Sequence, residues 1–124
     1  MLDHVSLPVS KLEQSKRFYE EALSPLGYEL IMEHHISGAG FGESAKPVFW
    51  IRQGEVGAAV HVAFASEDRA TVDAFHEAAM AAGGRDNGGP GLRPEYHPSY
   101  YGAFVFDPDG NNIEAVCHGP EQEP

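Results

Sequence analysis

Two histidines, His4 and His61, occupy the same point in two similar segments of the chain. A shift of 57 positions, with no gap, places Asp3-His4-Val5-Ser6-Leu7 on Val60-His61-Val62-Ala63-Phe64. Both segments alternate like half-buried strands, and each histidine lies on the face opposite to the apolar residues. A fixed period this long indicates two copies of one supersecondary unit. If the two copies pair symmetrically, their histidines come together, and a metal site could be built from the two imidazoles.

A carboxylate in the predicted last strand, 111–118, belongs with these histidines. Alternation along this strand places Glu114 on the face opposite to the helices, as it does for His4 and His61. A neutral imidazole or a buried carboxylate on an apolar sheet surface costs free energy unless a partner satisfies it. One divalent ion would satisfy all three groups and keep open coordination positions and a net charge of about +1. Such an ion is a Lewis acid that can hold two neighbouring oxygens of a substrate.

The elements that position these residues repeat in the same order. Each copy reads strand, helix, strand, strand, strand, which predicts an α+β fold of two βαβββ modules. We predict the first module over 1–56, the second over 57–118 and a tail over 119–124, which together make one domain. The predicted strands cover 2–9, 28–35, 38–43, 47–52, 58–65, 100–106 and 111–118, with a short strand and a long loop in 85–99.

Two polar segments predict where the helices begin. Ser10 followed by Glu13 has the spacing of a capping box. The acidic run Ser66-Glu67-Asp68 predicts the N-cap of the second helix. The run Asp107-Pro108-Asp109-Gly110 predicts a tight turn before the last strand.

Composition narrows the class of protein. The 124 residues are 42% hydrophobic, as in a globular domain, and carry a formal net charge of −11. This charge repels a phosphate backbone, so we expect no nucleic-acid partner. The single cysteine excludes an internal disulfide. The N-terminus has no signal-peptide pattern, and no apolar run approaches the roughly 18–20 residues that span a bilayer. We therefore expect a cytoplasmic protein with no membrane segment.

The run Phe106-Asp107-Pro108-Asp109-Gly110-Asn111-Asn112-Ile113-Glu114, together with the repeated His-Val-x-(Leu/Phe), resembles the vicinal oxygen chelate superfamily. This family includes glyoxalase I, extradiol dioxygenases, fosfomycin-modifying transferases, some epimerases and metal-free bleomycin-binding proteins. The resemblance covers nearly the whole chain. It implies two βαβββ modules around an open, barrel-like cleft, and metal ligands on the first and last strands. Carried over, those ligands fall on His4, His61 and Glu114.

The resemblance also implies a function. It indicates an enzyme of the lyase, isomerase or dioxygenase type that acts on a small, oxygen-rich substrate chelated to a divalent metal. Iron, zinc, manganese and nickel all suit such ligands. A homodimer is expected, and the modules pair either within one chain or between two. The alternative is a metal-free protein of the bleomycin-resistance type, which sequesters a ligand without chemistry.

Individual positions separate these subclasses. Glyoxalase I has a fourth ligand, a carboxylate on the last strand of the first copy, but the segment 48–52 contains no acid. By the same resemblance, His97 lies about where extradiol dioxygenases have a histidine beside the metal ligands, and Phe104 falls where they have a substrate-binding tyrosine. A fosfomycin-type enzyme would use a group of basic and hydroxyl residues, here Arg93, Ser99, Tyr100 and Tyr101. The candidate substrate-binding residues are Trp50, Arg52, Tyr96, His97, Tyr101 and Phe104, and packing within a loop is the alternative interpretation of the tyrosines.

Overall fold

The computed structural model describes residues 1–34 and 37–120, which form an α+β fold of two helices and two sheets. A single turn of 3-10 helix, Ser24–Leu26, follows the first helix. No described helix is long and apolar enough to cross a membrane. The elements are β1 (Val5–Val9), α1 (Leu12–Ala22), β2 (Glu29–His34), β3 (Gly38–Glu43), β4 (Lys46–Gln53), β5 (His61–Ala65), α2 (Arg69–Ala81), β6 (Arg85–Asp86), β7 (Gly91–Leu92), β8 (Tyr101–Phe106) and β9 (Asn112–Cys117).

The two sheets have the same topology. The first has the strand order β1-β4-β3-β2, and the second has the order β5-β9-β8-β6, with β7 also paired to β8. In each sheet the first strand runs parallel to the last one, and the other pairs are antiparallel. The predicted repeat of strand, helix and three strands is therefore confirmed. Among the described residues the sheets stay separate and do not close a barrel.

The two modules differ between the helix and the third strand. The offset of 57 carries Leu12, the first residue of α1, onto Arg69, the first residue of α2. It carries Gly38, the first residue of β3, onto Glu95, six residues before β8 begins at Tyr101. The second module thus has extra residues here, and the two short strands β6 and β7 replace a single strand like β2.

One apolar core joins both modules. Each helix covers one face of its own sheet, and the two helices contact each other. The ring of Phe64 on β5 lies 5.3 Å from that of Phe49 on β4 and 5.6 Å from that of Tyr28. Burial of these apolar faces is the main stabilising contribution to the fold. The fully buried members with the largest side chains are Tyr19, Phe18, Phe41, Phe49, Phe75, Leu23, Ile51, Ile113, Val9, Val72 and Val105.

The two helices begin differently. Asp68 is the N-cap of α2 and accepts a hydrogen bond from the backbone N–H of Thr71 at 2.7 Å, which confirms the predicted cap. The predicted capping box of α1 is wrong, because the Ser10 hydroxyl donates to Asp109 in the second module. Lys11 is the N-cap of α1, without a side-chain cap. The side-chain oxygen of Gln53 instead accepts from the N–H of Leu12, at 3.0 Å.

The first strand of each module is shorter than predicted. β1 begins at Val5, the first residue opposite β4, so His4 lies just before the strand. β5 begins at His61 and not at residue 58. The predicted end of the second strand at His35 lies outside the described residues. The tight turn after β8 is confirmed, since the N–H of Gly110 bonds to the carbonyl of Asp107 at 2.9 Å and Gly110 has a φ of 86°.

Candidate functional site

A carboxylate and an imidazole meet on the second sheet, on the face away from the helices. Glu114 lies on β9 and is fully buried, at 0% relative exposure. His61 lies at the start of β5, which runs parallel to β9 with Ala63 opposite Glu114. The Nε2 atom of His61 is 2.7 Å from Oε1 of Glu114, and the His61 side chain is 52% exposed. A buried acid is therefore paired with a base that solvent reaches.

The second oxygen of Glu114 is also occupied. Oε2 accepts a hydrogen bond from the hydroxyl of Tyr100, which precedes β8. Burial, followed by this hydrogen bond, raises the pKa of Tyr100 well above its usual value. A side chain at Gly102 would crowd both groups, because an added Cβ would be 3.1 Å from Glu114 Oε2 and 3.2 Å from the Tyr100 ring. Tyr100 thus stays protonated and orients the carboxylate.

Strand alternation predicted that His61 and Glu114 lie on the sheet face opposite to the helices. It did not connect Tyr100 with them. Tyr100 ends the 93–100 segment, whose path depends on its own contacts. The N–H of Arg93 bonds to the carbonyl of Tyr100 at 2.8 Å, and the N–H of Tyr100 bonds to the carbonyl of His97 at 3.1 Å. In the sequence, Tyr100 was named only as the first residue of the predicted strand 100–106 and as one of the basic and hydroxyl residues of a fosfomycin-type site.

The third predicted ligand, His4, lies directly before β1 of the first sheet. Its Nδ1 atom is 2.7 Å from the Asp3 carboxylate, which also accepts from Lys46 at 3.1 Å. These hydrogen bonds, the one from His4 first, lower the pKa of Asp3. Because a carboxylate only accepts, Nδ1 carries the proton and Nε2 keeps its lone pair. The His4 side chain is 55% exposed, so Nε2 is accessible to a ligand.

A single chain brings together two of the three predicted ligands. Both sheets turn their helix-covered faces towards one shared core, so their other faces, which carry His4 and the His61–Glu114 pair, point away from it. Within 1–34 and 37–120, no three His, Cys, Asp or Glu side chains are close enough to hold one metal ion. In the described part of one chain His4 is therefore not grouped with the other two, although it lines a cavity of about 290 Å³ together with Val62, Ala63 and Phe64 of the second module.

Two predicted substrate-binding residues lie beside His4. Trp50 and Arg52 of β4 line a cavity of about 400 Å³ together with His4 and Ser6. The Trp50 ring is nearly parallel to that of His34, with an interplanar angle of 16° and centroids 5.8 Å apart. This face of the first sheet thus combines an aromatic surface, a cation and the candidate ligand His4.

Trp50 occupies the position in the first module that Glu114 occupies in the second. Ser6, opposite Trp50, and Ala63, opposite Glu114, are equivalent residues of the repeat. The first module therefore offers an indole where a fourth carboxylate ligand would stand. In 48–52, Trp50 therefore stands at the position where the resemblance to glyoxalase I implies an acid.

The remaining predicted residues fall on both faces of the second sheet. The Phe104 ring lies 6.2 Å from that of His61. Tyr96 and His97 contact the Tyr100 ring at 4.8 and 5.4 Å, and Nε2 of His97 is 2.8 Å from Nδ1 of His118. Phe104 therefore adjoins His61, whereas Tyr96 and His97 adjoin Tyr100, the residue that donates to Glu114.

Tyr101 does not join this group. Its hydroxyl donates to Asp73 of α2 at 2.6 Å, and the guanidinium of Arg69 lies 5.1 Å from its ring centre. These contacts are with the helix, on the face of β8 opposite to Phe104. Adjacent residues of a strand point to opposite faces, and Tyr101 follows Tyr100 directly.

Known proteins similar to this chain share its fold. The model of the Glyoxalase/Bleomycin resistance protein/Dioxygenase superfamily matches residues 1–115. No curated protein matches the chain. A solved glyoxalase/bleomycin resistance protein from Albidiferax ferrireducens T118 is 31% identical, with a TM-score of 0.81 over 96% of this chain and 99% of that chain.

Two more distant structures share the fold. A glyoxalase/bleomycin resistance protein/dioxygenase family enzyme from Burkholderia phytofirmans PsJN is 17% identical, with a TM-score of 0.73 over 94% of this chain and 98% of that chain. A lactoylglutathione lyase from Agrobacterium tumefaciens is 19% identical, with a TM-score of 0.69 over 94% of this chain and 92% of that chain. At these identities the likeness concerns the fold alone.

Proposed function

The chain belongs to the Glyoxalase/Bleomycin resistance protein/Dioxygenase superfamily, and we propose that it is a divalent-metal-dependent enzyme acting on a small, oxygen-rich substrate. The family match confirms the resemblance that the sequence predicted. The observation that carries the proposal is the buried Glu114 carboxylate paired with the half-exposed His61 imidazole. Isolated buried charges are costly, and functional sites are where proteins keep them.

The side chains present fit a divalent ion. His61 and Glu114 would hold it from one module, and His4 would supply the second imidazole. The Asp3 carboxylate fixes the His4 proton on Nδ1, so Nε2 is free to coordinate. Two imidazoles and one carboxylate suit iron, zinc, manganese or nickel. When bound, the ion would polarise the oxygens of a chelating substrate and stabilise negative charge on them.

Two chains would complete the site. In one chain His4 lies directly before the first sheet and the His61–Glu114 pair lies on the second sheet, so the first module supplies one of the three candidate ligands and the second supplies two. A homodimer in which the first module of one copy faces the second module of the other unites them. Such a dimer also covers both faces, which excludes water from the substrate.

The chain's own residues would prepare the site for a substrate. Tyr100 holds Glu114 through its second oxygen, so the carboxylate keeps one orientation. His97 keeps a defined tautomer, because the N–H of Ser99 donates to its Nδ1 at 3.1 Å and leaves the ring proton on Nε2. Trp50, Arg52 and Phe104 would form the walls against the substrate body.

The ligand set favours three protein ligands over four. Trp50 stands where the first module would carry the additional carboxylate of glyoxalase I. Three ligands leave more open positions on the ion, as an extradiol-type dioxygenase requires and as a lyase or isomerase can also use. The enzyme is therefore proposed as a lyase, isomerase or dioxygenase with a three-residue metal site.

A second candidate function is a metal-free ligand-binding protein of the bleomycin-resistance type. One observation favours it, namely that both oxygens of Glu114 already have partners, His61 and Tyr100. A carboxylate satisfied in this way can be structural. The aromatic residues of both outward faces would then bind a ligand without chemistry.

Metal analysis separates the two functions. We expect protein purified without chelators to hold close to one divalent ion per chain, and His61→Ala to hold almost none. His76→Ala is the matched control, because His76 on α2 pairs with Asp86 at 2.9 Å, away from Glu114. Its metal content should equal that of the wild type. Wild-type protein without stoichiometric metal would contradict the enzyme proposal and favour ligand sequestration.

A further inference from the structure

On the outward face of the first sheet, a glycine leaves room for the Trp50 indole. In β3 the residues alternate, with Ala39 and Phe41 in the core and Gly40 on the outward side. An added Cβ at Gly40 would come within 2.9 Å of three ring atoms of Trp50. Only glycine therefore allows the indole to lie flat on the neighbouring strand.

Trp50 is also fixed from the side. The His34 ring stacks nearly parallel to it at 5.8 Å, and Trp50 itself remains half-buried. The indole is thus held rigidly, and the part of the half-buried ring that Gly40 and His34 leave exposed is the flat surface that a ligand can contact. Flat apolar surfaces favour flat ligands, because offset stacking adds to the burial of apolar area.

An arginine that makes no ion pair with the described residues lies beside this surface. Arg52 is two residues beyond Trp50 on β4, so both side chains project from the same face. Arg52 is exposed, and it has no ion pair among residues 1–34 and 37–120. In this chain of net charge −11, only two of the eight Lys and Arg side chains among the described residues, Lys16 and Lys46, are paired with acidic side chains, so what distinguishes Arg52 is its place beside Trp50. A free guanidinium in such an acidic protein is a strong local attractor for an anion.

We propose that this face binds a small planar carboxylate, with its ring against Trp50 and its carboxylate on Arg52. The inference rests on the proposed function, since it names the substrate class of that same site. A guanidinium bonds a carboxylate through two parallel hydrogen bonds, which fixes the plane of the ligand as well as its charge. The cavity of about 400 Å³ beside both side chains suits a molecule of this size.

The strand register gives the order of His4, Trp50 and Arg52 along this face. Ser6 lies opposite Trp50 and Pro8 lies opposite Arg52, so the indole stands between His4 and the guanidinium. Four residues of strand separate the levels of His4 and Arg52, or about 13 Å. The substrate would therefore carry its chelating oxygens at one end of a planar body and its carboxylate at the other.

The fluorescence of Trp50 provides a direct assay, because Trp50 is the only tryptophan in the chain. Benzoate is the probe, benzamide is the neutral planar control and cyclohexanecarboxylate is the non-planar anionic control. We expect benzoate to change the emission of Trp50 on titration and to bind about tenfold or more tightly than either control. Equal affinity for benzoate and benzamide would overturn the proposal.

Two variants assign the binding to its residues. Arg52→Gln should weaken benzoate binding roughly tenfold or more and leave benzamide binding unchanged. Arg17→Gln, on the exposed side of α1, makes the same change in net charge and should bind benzoate like the wild type. Trp50→Leu, followed by calorimetry, should abolish the preference for benzoate over cyclohexanecarboxylate. Unchanged benzoate binding in Arg52→Gln, with its circular dichroism intact, would refute the assignment.

The same titrations on metal-free protein separate this inference from the proposed function. Benzoate carries no vicinal oxygens, so its binding should survive removal of metal by EDTA. Protein that never holds stoichiometric metal but prefers benzoate through Arg52 would overturn the enzyme proposal alone. Protein that holds metal through His61 but shows no preference for benzoate would overturn the planar carboxylate alone.

Discussion

Single residues of the candidate site differ in how far the sequence predicts them. His61 and Glu114 were placed on one face by strand alternation, which depends only on neighbouring positions. Tyr100 was not connected with them, because its hydroxyl reaches Glu114 only through the path of the 93–100 segment. Alternation reports which face a side chain occupies. It carries no information on what a loop brings to that face.

The hydrogen bond from Tyr100 to Glu114 should contribute measurably to stability. Tyr100→Phe leaves one oxygen of a buried carboxylate without its donor, and we expect the free energy of unfolding to fall by about 1–2 kcal/mol. Urea unfolding at pH 7 measures it. Tyr96→Phe is the matched control, since Tyr96 is an exposed neighbour in the same loop. An equal loss in both variants would contradict a specific role for the Tyr100 hydroxyl.

The same bond gives a pH dependence of known sign. Burial and Glu114 raise the pKa of Tyr100, so the folded chain keeps this proton at a pH where the unfolded chain loses it. The stabilisation is complete below the unfolded tyrosine pKa, about 10, and is lost as pH rises towards the folded value. Stability of the wild type should therefore fall above about pH 10, and that of Tyr100→Phe should fall less steeply. Parallel declines would show that Tyr100 is not among the tyrosines responsible.

The repeat predicted the order of strands and helices in each module. It did not predict features that depend on contacts between the modules. The offset of 57 holds through the helices and ends in the segment before β8, where the second module has extra residues. Ser10 has the local spacing of a cap, yet its hydroxyl bonds to Asp109, a residue 99 positions away. A local pattern cannot anticipate a partner from the other module.

The N-cap of α2 is local, and its effect is predictable. Asp68→Ala removes the acceptor for the N–H of Thr71, so we expect Tm to fall by about 3–6 °C at pH 7. Asp68→Asn keeps the acceptor and is the matched control, with a Tm near that of the wild type. Differential scanning calorimetry compares the three proteins.

Acid should diminish the effect of the cap. Hydrogen bonds from Thr71, first from its side chain and then from its backbone, lower the pKa of Asp68. Its contribution is present above the unfolded aspartate pKa, about 3.9, and is lost as pH falls through the lower folded value. The difference in Tm between the wild type and Asp68→Ala should therefore shrink below about pH 4. A constant difference would indicate that the carboxylate charge plays no part in the cap.

At the scale of the whole molecule, the arrangement of the modules decides what one chain can do. The Tyr19 hydroxyl on α1 donates to Asp107 in the turn before β9, and both residues are buried. The contact between the Phe49 and Phe64 rings also links the two sheets. These contacts join the helix-covered faces to one core and leave the faces with the candidate ligands outside it.

The sequence predicted the modules and the faces on which their candidate ligands lie, but it left the pairing of those faces open. Hydrophobic periodicity specifies that each sheet has one covered face, and this fixes the positions of His4, His61 and Glu114 within their modules. The meeting of two outward faces is a contact between surfaces far apart in sequence. Among residues 1–34 and 37–120 of one chain the three candidate ligands do not meet, and the proposal is that a second copy completes the set.

Complementation between two inactive variants tests this requirement. In a site built from two chains, a His4→Ala chain still supplies His61 and Glu114, and a His61→Ala chain still supplies His4. Each variant alone should hold almost no metal. Co-expressed in equal amounts, they should recover roughly a quarter of the wild-type content, because half of the dimers are mixed and each mixed dimer has one intact site.

The double variant His4→Ala/His61→Ala, co-expressed with the wild type, is the control for this experiment. Both sites of its mixed dimers lack one imidazole, so only the wild-type homodimers should retain metal, again roughly a quarter of the full content. Sites built within one chain would behave differently. The two single variants would then recover no metal on co-expression, and the wild type mixed with the double variant would keep about half. The pair of results therefore distinguishes a site shared between two chains from a site closed within one, and it does so through metal content alone, before any substrate is known.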